Sequence, residues 1–97
     1  MVVTRPGKGK PFPAGPYSYG GRTLVLAEDG GIKVKQGDTV SGYSGCLYRD
    51  VLTGWEEYGR ANGGTVKPLD DPSLIRTGET VYHIPTWEAN RQGYYQI

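Results

Sequence analysis

The feature that most restricts the fold of this chain is the density of proline and glycine at its start. Residues 1–21 contain four prolines and five glycines. Each proline fixes φ and removes a backbone donor, so we predict an extended arm without a helix or a central strand. Phe12, Tyr17 and Tyr19 lie among these residues. Such a segment is disordered by itself, so we expect a partner protein to hold it; a solvated arm is the alternative.

Size and charge restrict the class of protein. A chain of 97 residues forms one small domain with a modest core. The first 27 residues hold Arg5, Lys8, Lys10 and Arg22 and no acidic residue, whereas the remainder holds seven basic residues against ten acidic ones. A basic arm on a mildly acidic domain favours contact with an acidic protein surface. Four basic residues in this segment are too few to predict nucleic-acid binding.

Several classes of protein are not expected from the residue types present. Cys46 is the only cysteine and His83 the only histidine, so we predict neither a disulfide framework nor a closed zinc site, and no cofactor. We expect Cys46 to be a small buried apolar residue. Apolar runs are too short to cross a membrane, and residues 1–21 lack the apolar segment of a signal peptide. We therefore expect synthesis in a cytoplasm without an export signal.

The clearest local pattern is a hairpin followed by a helix. Residues 22–28 are typical of a strand, Asp29-Gly30 of a hairpin turn, and residues 32–36 of a second strand. Gly37 then allows a corner, and either Asp38 or Thr39 can cap a helix. The residues predicted to be buried on these two elements are Ile32, Val34, Val40, Tyr43 and Leu47.

A second helix is predicted over residues 53–62. Thr53 and Glu56 have the spacing of a capping box, Trp55 and Tyr58 fall on one side, and Asn62 precedes two glycines that can end the helix. Residues 65–72 are then expected to form a loop.

The last predicted strand covers residues 80–84. Val81 and His83 alternate with Tyr82, and Pro85 ends the pairing. The tail, residues 86–97, has no clean period. It is too apolar for a free end, so we expect it either to fold back or to be buried in a neighbour.

These pieces, in this order, resemble the lysin motif (LysM) family. Gly37, Asp38, Thr39, Val40 and Ser41 match its corner, Asn62 its helix-ending asparagine, Gly78 its turn glycine, and Ile84-Pro85 its close. The resemblance covers residues 32–85 and implies an α+β fold with a βααβ core, a two-stranded antiparallel sheet with two helices on one face. Residues 1–21 would be the arm, 22–31 an additional strand and hairpin turn, and 86–97 the tail. The glycine-rich first helix and the enlarged loop at residues 63–72 depart from the family pattern.

The resemblance implies two functions, neither catalytic. The first is a structural adaptor like the small single-LysM proteins of bacteriophage tails and baseplates, located in the virion and contacting other tail subunits. Its partner-binding residues would be Arg5, Lys8, Lys10, Phe12, Tyr17, Tyr19, Trp87, Tyr94, Tyr95 and Ile97. The second is a peptidoglycan- or chitin-binding module, whose glycan groove would be formed by Gly37, Asp38, Thr39, Val40, Leu74, Ile75 and Gly78. His83 has no nucleophile near it in the sequence, so we predict no enzyme.

Overall fold

A six-stranded antiparallel sheet organises residues 7–92, the part of the chain that the computed structural model describes. The strands are β1 (Gly15–Tyr19), β2 (Arg22–Leu26), β3 (Gly31–Lys33), β4 (Tyr58–Asn62), β5 (Thr65–Pro68) and β6 (Thr80–His83), in the order β1-β2-β3-β6-β4-β5. The helices are α1 (Val40–Tyr48) and α2 (Ile84–Gln92), and a short 3-10 turn covers Trp55–Glu57. The fold is therefore α+β, as predicted. Neither helix is long and apolar enough to cross a membrane within residues 7–92.

The predicted hairpin and first helix are present. β2 pairs with β3, and β3 pairs with β6, so the two strands predicted for the core are neighbours. Ile32 and Val34 are buried, and so are Val40, Tyr43 and Leu47 on α1. Val81 and His83 are also completely buried, whereas Tyr82 between them is half-buried, as the alternation predicted. Cys46 is buried too.

The second predicted helix is wrong. Residues 55–57 form only the 3-10 turn, and residues 58–62 form β4, which pairs with both β5 and β6. Gly63 and Gly64 have φ values of 58° and 90°, the sign that a two-residue hairpin turn requires at both central positions. The Asn62-Gly63-Gly64 sequence therefore makes a hairpin rather than a helix end. The loop predicted at residues 65–72 accordingly contains β5.

The ends of the described chain also differ from expectation. β1 lies within the proline-rich arm, and it tolerates Pro16 because it is an edge strand. After β6 the chain continues directly into α2, so part of the predicted irregular tail is helical. Pro85 is accepted there because the first turn of a helix needs no donor at that position. Thr86 and Ala89 bury one side of α2.

One apolar core joins these elements. Its buried members come from the arm, β2, β3, α1, β4 and β6: Phe12, Leu24, Leu26, Ile32, Val34, Val40, Tyr43, Cys46, Leu47, Tyr58 and Val81. α1 lies against β1 and β2. An ideal Cβ on Gly45 would lie 2.8 Å from the Tyr19 ring, so this glycine allows the helix to approach the strand closely.

Candidate functional site

The corner between β3 and α1 is fixed by side chains of its own sequence. Thr39 has extended backbone angles, and its Oγ1 accepts a hydrogen bond from the Gly42 amide at 3.0 Å, so Thr39 is the helix cap. Asp38 Oδ2 instead accepts from the Lys35 amide and from the Tyr43 hydroxyl, both at 2.9 Å. The sequence left these two residues open as caps, and the structure gives each a separate role.

A second loop, residues 71–75, faces the corner. Asp71 Oδ1 accepts hydrogen bonds from the Ser73 amide at 3.0 Å and the Ser73 hydroxyl at 2.7 Å. Arg60 holds the loop from β4, because its guanidinium donates both to the Leu74 carbonyl and to Glu79. The hydrogen bond from Arg60 to the Glu79 carboxylate lowers the pKa of Glu79. The loop at residues 71–75 is thus anchored to β4 by the hydrogen bond from Arg60 to the Leu74 carbonyl, and Glu79 holds the guanidinium in place.

Between the corner and this loop lies a groove of about 210 Å³, which we call the corner groove. It is lined by Asp38, Thr39, Val40, Ser41, Trp55, Pro72, Ser73 and Ile75. Four residues of the predicted glycan groove therefore come together: Asp38, Thr39, Val40 and Ile75. Gly37, Leu74 and Gly78 do not line it, and the Leu74 side chain is 61% exposed.

Trp55 is the aromatic groove residue that sequence reasoning missed. The predicted second helix placed Trp55 on the same side as Tyr58, whereas the side chain borders the groove and is 38% exposed. Its indole N–H donates to the Val51 carbonyl, which fixes the ring. An exposed, fixed aromatic ring beside hydroxyl groups is a surface that can bind a ligand with one apolar and one polar side.

A second group of polar side chains is buried and lies elsewhere. Tyr48, Glu57, His83 and Thr86 form a connected group that we call the buried polar cluster. The Tyr48 hydroxyl lies 2.9 Å from His83 Nε2 and donates to Glu57 Oε1. His83 Nδ1 lies 3.0 Å from Thr86 Oγ1. His83 and Thr86 have no exposed surface and Glu57 is 7% exposed, whereas Tyr48 is half-buried, so the His83–Thr86 part of the cluster is closed to solvent.

The buried polar cluster attaches the arm to the domain. The Gly9 amide donates to Glu57 Oε2 at 2.6 Å, and the Phe12 amide donates to Thr86 Oγ1 at 2.8 Å. Burial favours the neutral form of Glu57, but hydrogen bonds from His83, Tyr48 and Gly9 together hold the pKa of Glu57 below its ordinary value. Burial also raises the pKa of Tyr48. The ionised Glu57 therefore holds the arm on the domain by accepting the hydrogen bond from the Gly9 amide.

The predicted partner-binding residues are placed unevenly. Phe12 contradicts its prediction as a surface contact: its ring has no exposure and packs edge-on against Tyr17, Tyr48 and His83. Lys8 is exposed and pairs with Glu56, and Lys10 is exposed. Tyr19 is 39% exposed, whereas Trp87 is half-buried beneath the Arg91 guanidinium. Arg5, Tyr94, Tyr95 and Ile97 lie outside the described residues.

Neither a metal site within residues 7–92 nor a known relative gives evidence for the function. Among residues 7–92, histidine, cysteine and carboxylate side chains form no group of three that could hold a metal ion. Comparison with known proteins finds no matching family model and no similar curated protein or solved structure. The function must therefore be argued from the geometry of the site.

Proposed function

We propose that this protein is a non-catalytic carbohydrate-binding module, related to LysM domains, that binds an N-acetylated glycan such as peptidoglycan or chitin in the corner groove. The observation that carries the proposal is the groove itself. Two loops far apart in sequence, at residues 38–41 and 72–75, face each other beside an exposed tryptophan. The LysM resemblance implies a glycan groove between the same two segments.

The chemistry of the lining suits a sugar. A pyranose ring has an apolar face and a rim of hydroxyl or acetamido groups, so it needs an aromatic or aliphatic surface next to hydrogen-bonding groups. Trp55 and Ile75 supply the apolar surface, and Ser73, on the same loop as Ile75, supplies a hydroxyl oxygen that can accept a hydrogen bond. The groove is shallow and belongs to a single module, so we expect weak binding that avidity would strengthen.

The relation to LysM rests on a modified core. β3 and β6 pair as the two strands of such a core would, and the Gly-Asp-Thr corner leads into α1. The β4–β5 hairpin stands where a second helix was expected. We propose that this hairpin holds the loop at residues 71–75 opposite the corner, through the hydrogen bond from Arg60 to the Leu74 carbonyl.

The test is sedimentation with purified peptidoglycan and with chitin, followed by titration with soluble N-acetylglucosamine oligomers. We expect wild type to bind, and Trp55→Ala to weaken binding by about tenfold or more, which corresponds to 1.4 kcal/mol. Leu52→Ala is the matched control, because Leu52 is 78% exposed and does not line the groove. Absence of wild-type binding to either polymer, or an equal effect of both substitutions, would refute the proposal.

A structural adaptor in a phage tail or baseplate is the second proposal. It is supported by Val51 and Leu52, which are 44% and 78% exposed on the turn after α1. Adjacent exposed apolar side chains favour a protein contact. If other tail subunits bind there, Leu52→Asp should release the protein from the native particle, as measured by the mass and composition of purified particles. Retention of the variant at wild-type stoichiometry would argue against this surface.

A further inference from the structure

A second recess adjoins the corner groove at the start of α1. This recess has a volume of about 240 Å³ and lies between the β1–β2 hairpin and α1. Thr39 and Ser41 line both spaces, and their hydroxyl oxygens lie 3.1 Å apart. Tyr19, Arg22 and Val51 line only the recess. We call it the hairpin recess.

Each of the two spaces is bordered by one exposed aromatic side chain. Trp55 borders the corner groove, and Tyr19 borders the hairpin recess; they are 38% and 39% exposed. The Tyr19 ring is held from behind by α1, where Gly45 leaves room for it. The hydroxyl pair of Thr39 and Ser41 belongs to the wall that both spaces share. A linear ligand with alternating apolar faces and polar rims that occupied both spaces would meet an aromatic ring in each and hydroxyl groups on the shared wall.

Arg22 gives the hairpin recess a positive charge, whereas the only charged residue among the described residues that line the corner groove is Asp38. Tyr19 and Arg22 are paired across β1 and β2, so their side chains lie on the same face of the sheet. The Arg22 guanidinium donates to the Gly37 carbonyl at 2.8 Å, which ties the hairpin to the corner. Within residues 7–92 Arg22 forms no ion pair with a carboxylate. A guanidinium has five N–H donors, so donors remain for a ligand carboxylate.

We propose that the corner groove and the hairpin recess form one extended cleft for a linear oligosaccharide, with Tyr19 as a second stacking surface and Arg22 binding a carboxylate on the glycan. This inference rests on the proposed carbohydrate-binding function. It adds a dependence on chain length and on ligand charge, which the corner groove alone does not predict. Both properties come from the β1–β2 hairpin, which lies outside residues 32–85, where the resemblance to LysM was found.

Chain length is tested by titrating wild type and variants with the neutral disaccharide and hexasaccharide of N-acetylglucosamine. We expect wild type to bind the hexasaccharide at least about tenfold more tightly, because the longer chain reaches both aromatic rings. Tyr19→Ala should remove this advantage and leave disaccharide affinity unchanged. Trp55→Ala should weaken both ligands, and Leu52→Ala neither.

Charge is tested by comparing the neutral hexasaccharide with a peptidoglycan fragment of equal sugar number that carries free carboxylates. We expect Arg22→Gln to weaken only the carboxylate-bearing fragment, and added salt to have the same selective effect. This measurement also decides the matter if Tyr19→Ala fails to fold, which circular dichroism would reveal.

The outcomes separate the two proposals. If Trp55→Ala weakens both ligands while neither Tyr19→Ala nor Arg22→Gln alters any affinity, the extended cleft is refuted and the corner groove stands. If Tyr19→Ala weakens disaccharide and hexasaccharide equally, Tyr19 acts through the fold, and the cleft is again refuted. If wild type binds none of the sugars, both proposals fall.

Discussion

Replacing Phe12 by alanine is the sharpest test of how the proline-rich arm is held. The sequence predicted that Phe12 contacts another subunit, whereas the structure gives its side chain no exposure at all. Because the ring is buried in its own domain, Phe12→Ala should destabilise the isolated chain. If the arm is held only by a partner, the isolated chain should tolerate the substitution.

The magnitude follows from the surroundings of the ring. Truncation of a fully buried phenylalanine to alanine costs about 3–5 kcal/mol, through lost burial and the cavity that remains. Three ring neighbours, with centroids at 5.7, 5.2 and 5.4 Å, have edge-on geometry that adds to this cost. Small domains have a total stability of about 5–15 kcal/mol. We therefore expect Phe12→Ala to lower Tm by at least about 12 °C.

Equilibrium unfolding in urea, followed by tryptophan fluorescence and circular dichroism, measures the effect. Val25→Ala is the matched control, because Val25 lies on the neighbouring hairpin but is 56% exposed, and its change should stay within about 0.5 kcal/mol. Phe12→Leu keeps most of the volume and should be intermediate. A loss of less than about 1 kcal/mol in Phe12→Ala would show that the arm does not dock on its own domain.

Three further substitutions test other parts of the structure. The folded-state pKa of Glu57 lies below its ordinary 4.5, so ionised Glu57 stabilises the folded protein above that pH, and this contribution is lost as the pH falls. Glu57→Gln should therefore flatten the decline of Tm between about pH 5 and pH 3. Gly59→Ala would bring a Cβ within 2.2 Å of the Lys67 carbonyl oxygen, so we expect about 1–3 kcal/mol of destabilisation in urea unfolding, against none for Gly7→Ala, which has open space. Thr39→Ala should cost about 1 kcal/mol of unfolding free energy through the lost helix cap, and Thr39→Ser should restore most of it. The first argument is contradicted if Glu57→Gln changes Tm by the same amount at every pH, and the second if Gly59→Ala has the Tm of wild type. The third is contradicted if Thr39→Ala and Thr39→Ser have equal free energies of unfolding.

The parts of the fold that the sequence predicted are those with local signals. The Asp29-Gly30 turn, the alternation of Ile32 and Val34, and the cap at Thr39 each depend on neighbours within a few residues. The local signals around residues 58–62 conflict. The capping box before them indicates a helix, whereas the asparagine-glycine pair after them fits either a helix end or a hairpin turn. Gly59 is compatible with the hairpin because a side chain at that position would collide with the backbone of β5.

The position of Phe12 could not be predicted from local pattern at all. Its amide bonds to Thr86, 74 residues further along the chain, and its ring contacts Tyr48 and His83 on two other elements. A phenylalanine among prolines has no periodicity that would mark it as core. The buried polar cluster was equally invisible, since His83 shares no sequence neighbourhood with Tyr48 or Glu57.

The corner motif itself supplies shape rather than recognition. Asp38 Oδ2 already accepts two hydrogen bonds, and Thr39 Oγ1 accepts one from the helix amide. These bonds use part of the hydrogen-bonding capacity of Asp38 and Thr39 within the chain. Under the proposed glycan-binding function, discrimination between glycans should therefore depend chiefly on the residues around the corner, Trp55 and Ile75 in the groove and Tyr19 and Arg22 in the hairpin recess. These lie outside the Gly-Asp-Thr sequence, so chains that share this corner can differ in ligand while keeping the same start to α1.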